Sequence, residues 1–197
     1  MLESPDLNCS PVRLVERTDL EIVTEDLRLR PLAEGDADVI QQLAGDERIA
    51  DTTASIPHPY PEGEASRWIA DTLVRRQAGT DLALAIVNKT NDEVLGCISL
   101  MRMAQGRAEL GYWVGVPYWG RGIATAAVQA LVSCAPAEFG LQCIEARVLV
   151  RNPASARVLL RAGFRLRETS VSQCGYRQQQ EPTEFYELHC DAHAPTS

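Results

Sequence analysis

Two glycines one residue apart, set where a strand runs into a helix, are the first residues of this sequence with evident chemistry. The segment reads Val114-Gly-Val116-Pro-Tyr-Trp119-Gly120-Arg121-Gly122-Ile123-Ala124-Thr125, followed by Ala126, Ala127 and Val128. Gly120 and Gly122 permit positive φ and let a ligand approach the backbone. The N–H groups from Gly122 through Ile123 and Ala124 to Thr125 then point out of the helix's positive end, an anion site suited to a phosphate or pyrophosphate. Thr125 adds a hydroxyl and Arg121 a charge at the rim. A Walker loop is excluded, because Arg121 and Gly122 stand where its lysine and magnesium-binding hydroxyl belong. A dinucleotide fingerprint fits poorly, since Thr125 replaces its third glycine and the preceding strands read as antiparallel. A plain strand-to-helix turn built with glycines is the remaining alternative.

A second segment, Asn152-Pro-Ala-Ser155-Ala-Arg157-Val-Leu-Leu-Arg161-Ala-Gly163-Phe164, places Pro153 at the first position of a helix and Ser155 in its first turn. Asn152 reads equally well as a turn or capping residue, and Ser155 as a first-turn hydroxyl bonded to backbone.

The elements that must carry these segments are legible from periodicity. Leu27 to Leu32 alternates as a strand. Asp36 reads as the N-cap of a helix with Ala37, Ile40, Leu43 and Ala44 on one face. Thr52 to Gly63 reads as a loop, and a helix follows over 64–77 with Trp68, Ile69, Leu73 and Val74 inward. Leu82–Val87, Val94–Met103 and Ala108–Val116 read as three consecutive antiparallel strands. The order then becomes helix Thr125–Glu138, strand Cys143–Val150, helix Pro153–Ala162 and strand Phe164–Thr169, with a last strand near Phe185–His189. An antiparallel half followed by a βαβα half predicts a mixed-sheet α/β domain.

The first segment resembles motif A of the GNAT superfamily of N-acetyltransferases, (Q/R)-x-x-G-x-(G/A), with Gly122 and Ala124 at the small positions and Trp119 in place of Gln or Arg. Gly111-Tyr112-Trp113 through Pro117-Tyr118-Trp119-Gly120 to Ala124-Thr125 is similar to the G-Y-W-x-x-P-x-Y-W-G-x-G-x-A-T of the RimJ/RimL branch, the ribosomal-protein N-acetyltransferases, with one extra residue before the proline. Asn152 to Phe164 resembles the family's N-x-x-S-x-x-(V/I)-L-x-K-x-G-F, with Arg161 for Lys. Thr24 to Leu32 resembles its T-x-R-L-x-L-R-P-L opening, with Asp26 for Arg. The resemblance spans Thr24 to His189 and implies a mostly antiparallel sheet of six or seven strands with helices on both faces. The expected organisation is an unpatterned extension over 1–23, one acetyltransferase domain over 24–190, and a tail over 191–197.

The resemblance implies acetyl-CoA as co-substrate and transfer of its acetyl group to a primary amine by direct attack. Such transfer needs a neutral amine, a polarised carbonyl and a proton for the departing thiolate. By resemblance, backbone around Trp113, Val114 and Val116 holds the pantetheine arm. Gly120 to Thr125 holds the pyrophosphate, Asn152 lies near the sulfur, Ser155 meets the thiolate, and Arg121 and Arg157 meet phosphates. Glu109 is the candidate general base: strand parity puts it with Gly111 and Trp113, and its replacement by Gln is expected to lower turnover. Tyr60, Glu62 and Trp68 shape the acceptor site by resemblance. The acceptor reads as a protein N-terminus or a small-molecule amine, and a homodimer is compatible with the family. A non-catalytic acyl-CoA-binding module and a pure interaction protein are the rival readings.

The whole chain agrees with a soluble, cytoplasmic enzyme. Its 197 residues suffice for one domain. Six scattered cysteines with no CxxC pair argue against both a disulfide framework and a metal site. A net charge of −8 argues against nucleic acid and suits a cationic substrate. No apolar run is long enough for a membrane span, and the N-terminus lacks a signal-peptide core.

Overall fold

The computed structural model describes residues 20–174 and 179–190, so the expectations for the first nineteen residues and for the tail over 191–197 lie outside the described residues. One sheet organises the rest. Its strands are β1 (Ile22–Val23), β2 (Leu27–Pro31), β3 (Leu82–Asn88), β4 (Val94–Ala104), β5 (Arg107–Val114), β6 (Cys143–Leu149), β7 (Arg165–Cys174) and β8 (Gln179–His189). They lie in the order β1-β2-β3-β4-β5-β6-β8-β7, eight strands against the six or seven expected. All neighbours are antiparallel except β5 and β6. The helices are α1 (Ala37–Ala44), α2 (Glu47–Thr52), α3 (Glu64–Gln77), α4 (Ile123–Phe139) and α5 (Pro153–Arg161).

The meander expected from the sequence is β3–β4–β5. Leu82-Ala-Leu-Ala-Ile-Val87 is an unbroken apolar run, and every residue of it is buried. A strand covered on both faces has no need of alternation. On one face, Leu84, Ile86, Ile98 and Leu110 pack under Val128, Leu131 and Ala135 of α4 and Leu159 of α5. On the other, Ala83, Ala85 and Cys97 pack under Ile40 of α1 and Ala65 and Ile69 of α3. Glycine is required at position 96, where a Cβ would come within 2.2 Å of the Trp113 carbonyl oxygen.

Three local expectations are corrected. Leu73 and Val74 of α3 are 38% and 65% exposed; Thr72 turns inward instead, its hydroxyl satisfied by the Ile69 carbonyl at 2.7 Å. The loop expected from Thr52 begins one residue later, after a short helix over Glu47–Thr52 that the periodicity does not announce.

Asp36 makes no side-chain cap to α1. Its carboxylate is buried against Arg30, with both oxygens accepting guanidinium N–H groups at 2.8 Å and Oδ2 also accepting the Ala33 N–H at 2.8 Å. Burial pushes the Asp36 carboxyl up, but Arg30 and the Ala33 N–H outweigh it and hold the group below the usual carboxylate range. Without Asp36 the half-buried Arg30 guanidinium keeps only its contacts to the exposed Asp92 at 3.2 Å and to the Pro31 carbonyl at 3.1 Å, so Asp36→Asn is expected to cost about 3 kcal/mol. For a chain of this size that lowers Tm by about 6–12 °C in a thermal melt. Because the folded-state pKa is depressed, the contribution is present above the unfolded value near 3.9 and is lost as pH falls through the lower folded value. The gap between wild type and variant should therefore narrow below about pH 4.

Candidate functional site

The site begins where β5 and β6 part. They pair in parallel from Arg107 with Cys143 to Leu110 with Ala146 and no further, although β5 continues to Val114 and β6 to Leu149. The Gly115 N–H bonds the Leu95 carbonyl on β4 at 2.8 Å. An antiparallel ladder alternates its bonds every second residue, so Trp113 and Gly111 face β4 while Tyr112 and Val114 turn their backbone groups toward the gap. The Val114 carbonyl is taken by the Trp119 indole at 2.6 Å. Gly115 makes the corner, and the 3-10 turn Val116–Tyr118 follows it.

That turn delivers the chain to Gly120 and Gly122, whose φ angles of +76° and +78° are left-handed. Nothing lies within 4 Å of a Cβ built on either glycine, so backbone conformation and open space in front of the loop, rather than crowding, demand glycine here. Gly122 caps α4 without any side-chain bond, and the first backbone bond of the helix is Ala126 N–H to the Gly122 carbonyl at 3.0 Å. The N–H groups of Ile123 to Thr125 are left for a ligand, at the positive end of a 17-residue helix. Arg121 stays exposed at the rim, its guanidinium 5.7 Å from the Tyr118 ring centre and donating to the Pro117 carbonyl at 3.0 Å. The Tyr118 hydroxyl donates in turn to Glu93 at 2.7 Å. These residues fit a pyrophosphate.

At the other side of the gap stands the start of α5. Asn152 accepts the Ser155 N–H at 3.1 Å and donates from Nδ2 to the Thr52 carbonyl at 3.0 Å. The Ser155 hydroxyl meets the Tyr112 hydroxyl at 2.8 Å, which joins α5 to the splayed end of β5. Burial pushes the Tyr112 phenol up to about 12, so it is protonated at neutral pH and remains a donor. Arg157, on the next turn of α5, is exposed.

Glu109 is not brought to this point. It lies four residues before Trp113, about 13 Å along the strand, in the part of β5 still paired with β6. Oε2 accepts from Arg102 at 2.6 Å and Oε1 from Arg147 at 2.8 Å. With both oxygens engaged, Glu109→Gln is expected to cost about 1 kcal/mol of stability and to leave turnover within about twofold, read by a melt and a rate assay. A loss of turnover that grows at low pH would restore the base reading.

The three acceptor-side candidates divide. Tyr60 and Trp68 pack against the same apolar cluster as Trp113, whereas Glu62 is exposed on the turn before α3. Burial pushes the Tyr60 phenol up to about 12. Sequence reasoning passed over Asp51, Thr52 and Arg151, since nothing local marks contacts a hundred residues apart. Tyr112 is visible in the motif, but nothing local distinguishes a hydroxyl in contact with Ser155 from a packed aromatic. Among the described residues no helix is long and apolar enough to cross a membrane.

The family model described as "Acetyltransferase (GNAT) domain" matches residues 26–165. The chain is 32% identical over 149 residues to an uncharacterized N-acetyltransferase, p20, of Bacillus licheniformis, covering 73% of this chain and 81% of that one. It is 29% identical to the ribosomal-protein-serine acetyltransferase of Escherichia coli strain K12, covering 72% and 80%. In structure it is similar to RimL, a ribosomal L7/L12 alpha-N-protein acetyltransferase solved with coenzyme A, with a TM-score of 0.78 at 21% identity over 88% of this chain and 99% of that one.

Proposed function

The chain belongs to the GNAT acetyltransferase family, and from that premise we propose that its site moves the acetyl group of acetyl-CoA directly onto a primary amine, either a protein N-terminus or a small molecule. It is an acetyl-CoA-dependent N-acetyltransferase; the acceptor and the direct route are the proposal. One observation carries the reading: the Tyr112–Ser155 hydroxyl pair stands at the same gap whose far end leads into the uncapped start of α4.

Acetyl-CoA supplies an activated acetyl thioester. The residues placed for its pyrophosphate are Gly120 to Thr125, with Arg121 and Arg157 offering charge. The Tyr112 and Val114 N–H groups face the gap where the pantetheine arm and thioester carbonyl belong, and an N–H aimed at that oxygen stabilises the charge it gathers. The amine nitrogen forms the new C–N bond, the C–S bond breaks, and the proton lost by the amine ends on the thiol. Ser155 is placed to donate a hydrogen bond to the departing sulfur while accepting one from Tyr112. The attacking amine must be neutral, so kcat/KM should rise with pH up to the amine's own pKa.

No side chain is assigned as a covalent acetyl carrier. Cys97, the most buried of the described thiols, is pushed well above its usual range by burial. The test is mass spectrometry after incubation with acetyl-CoA, first alone and then with serine- and alanine-starting peptides and spermidine. The expected result is acetylated amine and unmodified enzyme. Stoichiometric acetyl-enzyme that then decays with amine would overturn direct attack, and no acetylated amine across the panel would favour a module that only binds acyl-CoA.

A further inference from the structure

We propose that Arg151 is a positioning residue that holds α2 against the start of α5, the helix that presents Ser155, an inference that rests on the reading above. Six residues are too few for a helix to hold itself together in water, and the last carbonyls of any helix lack partners within it. In α2 those carbonyls are met from two sources. The Thr52 and Thr53 hydroxyls donate to the Arg48 and Ile49 carbonyls at 2.8 and 2.9 Å, a local arrangement. The Asp51 and Thr52 carbonyls are met from the β6–α5 connection, by the Arg151 guanidinium and by Asn152 Nδ2.

Arg151 does more than cap. Its Nη1 pairs with Asp51 Oδ1 at 2.8 Å, and its Nε with Glu181 Oε2 on β8 at 2.6 Å. One guanidinium therefore joins α2, the end of β6 and β8, and a cation at a helix C-terminus is favourable in itself. The next residue, Asn152, caps α5 one turn from the hydroxyl pair at Ser155. The connection that presents Ser155 to the leaving thiol is thus the one that fixes α2. Order at Ser155 is thereby coupled to order in α2 through two adjacent residues.

The test is hydrogen exchange of the α2 amides in the full chain, with circular dichroism to show that each variant is folded. In the free protein, Arg151→Ala should speed exchange at residues 49–53 about tenfold or more, leaving the core strands unchanged. Arg151→Lys, which keeps a cation at the helix end but cannot bridge to Glu181, should fall between. Saturating acetyl-CoA should slow α2 exchange further in wild type but not in Arg151→Ala, whose affinity for acetyl-CoA stays within about twofold. Unchanged α2 exchange in free Arg151→Ala would overturn the tether. Wild type that binds acetyl-CoA without slowing α2 would overturn the coupling alone, whereas wild type that fails to bind it would overturn the proposed function and leave the free-protein comparison to decide the tether.

Discussion

Ser155→Ala is expected to lower kcat about a hundredfold while leaving the dissociation constant of acetyl-CoA within about threefold, because a positioned proton donor contributes chiefly in the transition state. The structure gives the expectation its second half. Tyr112→Phe removes the partner of Ser155 and leaves the serine hydroxyl in place, so its loss should be smaller, about tenfold. If the two hydroxyls act as a unit, the double variant should be no worse than Ser155→Ala. Independent, multiplying losses would mean that the 2.8 Å contact between them is packing without catalytic consequence. Initial rates with a peptide or polyamine acceptor, alongside coenzyme titrations, separate these outcomes.

Gly122→Asp carries the largest expected effect on binding. A residue at φ +78° must adopt a left-handed conformation that costs an L side chain about 1–2 kcal/mol. The Cβ itself would meet nothing within 4 Å, so the variant should fold. The carboxylate would then project from the helix cap into the place proposed for a phosphate, setting like charge against like at the dipole's positive end. Affinity for acetyl-CoA should fall at least about a hundredfold. Gly122→Ala separates the two causes: it shares the backbone strain without the charge and should bind far better than the aspartate.

The glycine loop was legible in the sequence because everything it does is local. Two left-handed residues, an uncapped helix start and a strand before them are written in consecutive positions. Asn152, Pro153 and Ser155 were legible for the same reason, and the antiparallel meander followed from its turns. What stayed hidden depends on residues far apart in the chain. Asp36 has the type and place of an N-cap, yet a half-buried Arg30 six residues earlier takes both its oxygens. The sequence Glu47-Arg-Ile-Ala-Asp-Thr52 is too short for its period to declare a helix, and part of its C-terminal capping comes from Arg151 and Asn152. Glu109 had the right parity on its strand, but parity says nothing of Arg102 and Arg147, which claim its carboxylate. The insertion of β8 between β6 and β7 likewise turns on pairing that no local pattern encodes.

The measurement closest to the central claim is a calorimetric titration of the wild-type protein with acetyl-CoA, repeated with Gly122→Asp. Saturable binding in the micromolar range by wild type, with the heat lost in the variant, is the predicted result. Wild type that gives no heat, or a Gly122→Asp variant that binds as tightly as wild type, would contradict the placement of the coenzyme at the Gly120–Thr125 loop and the acetyl-transfer reading built on it.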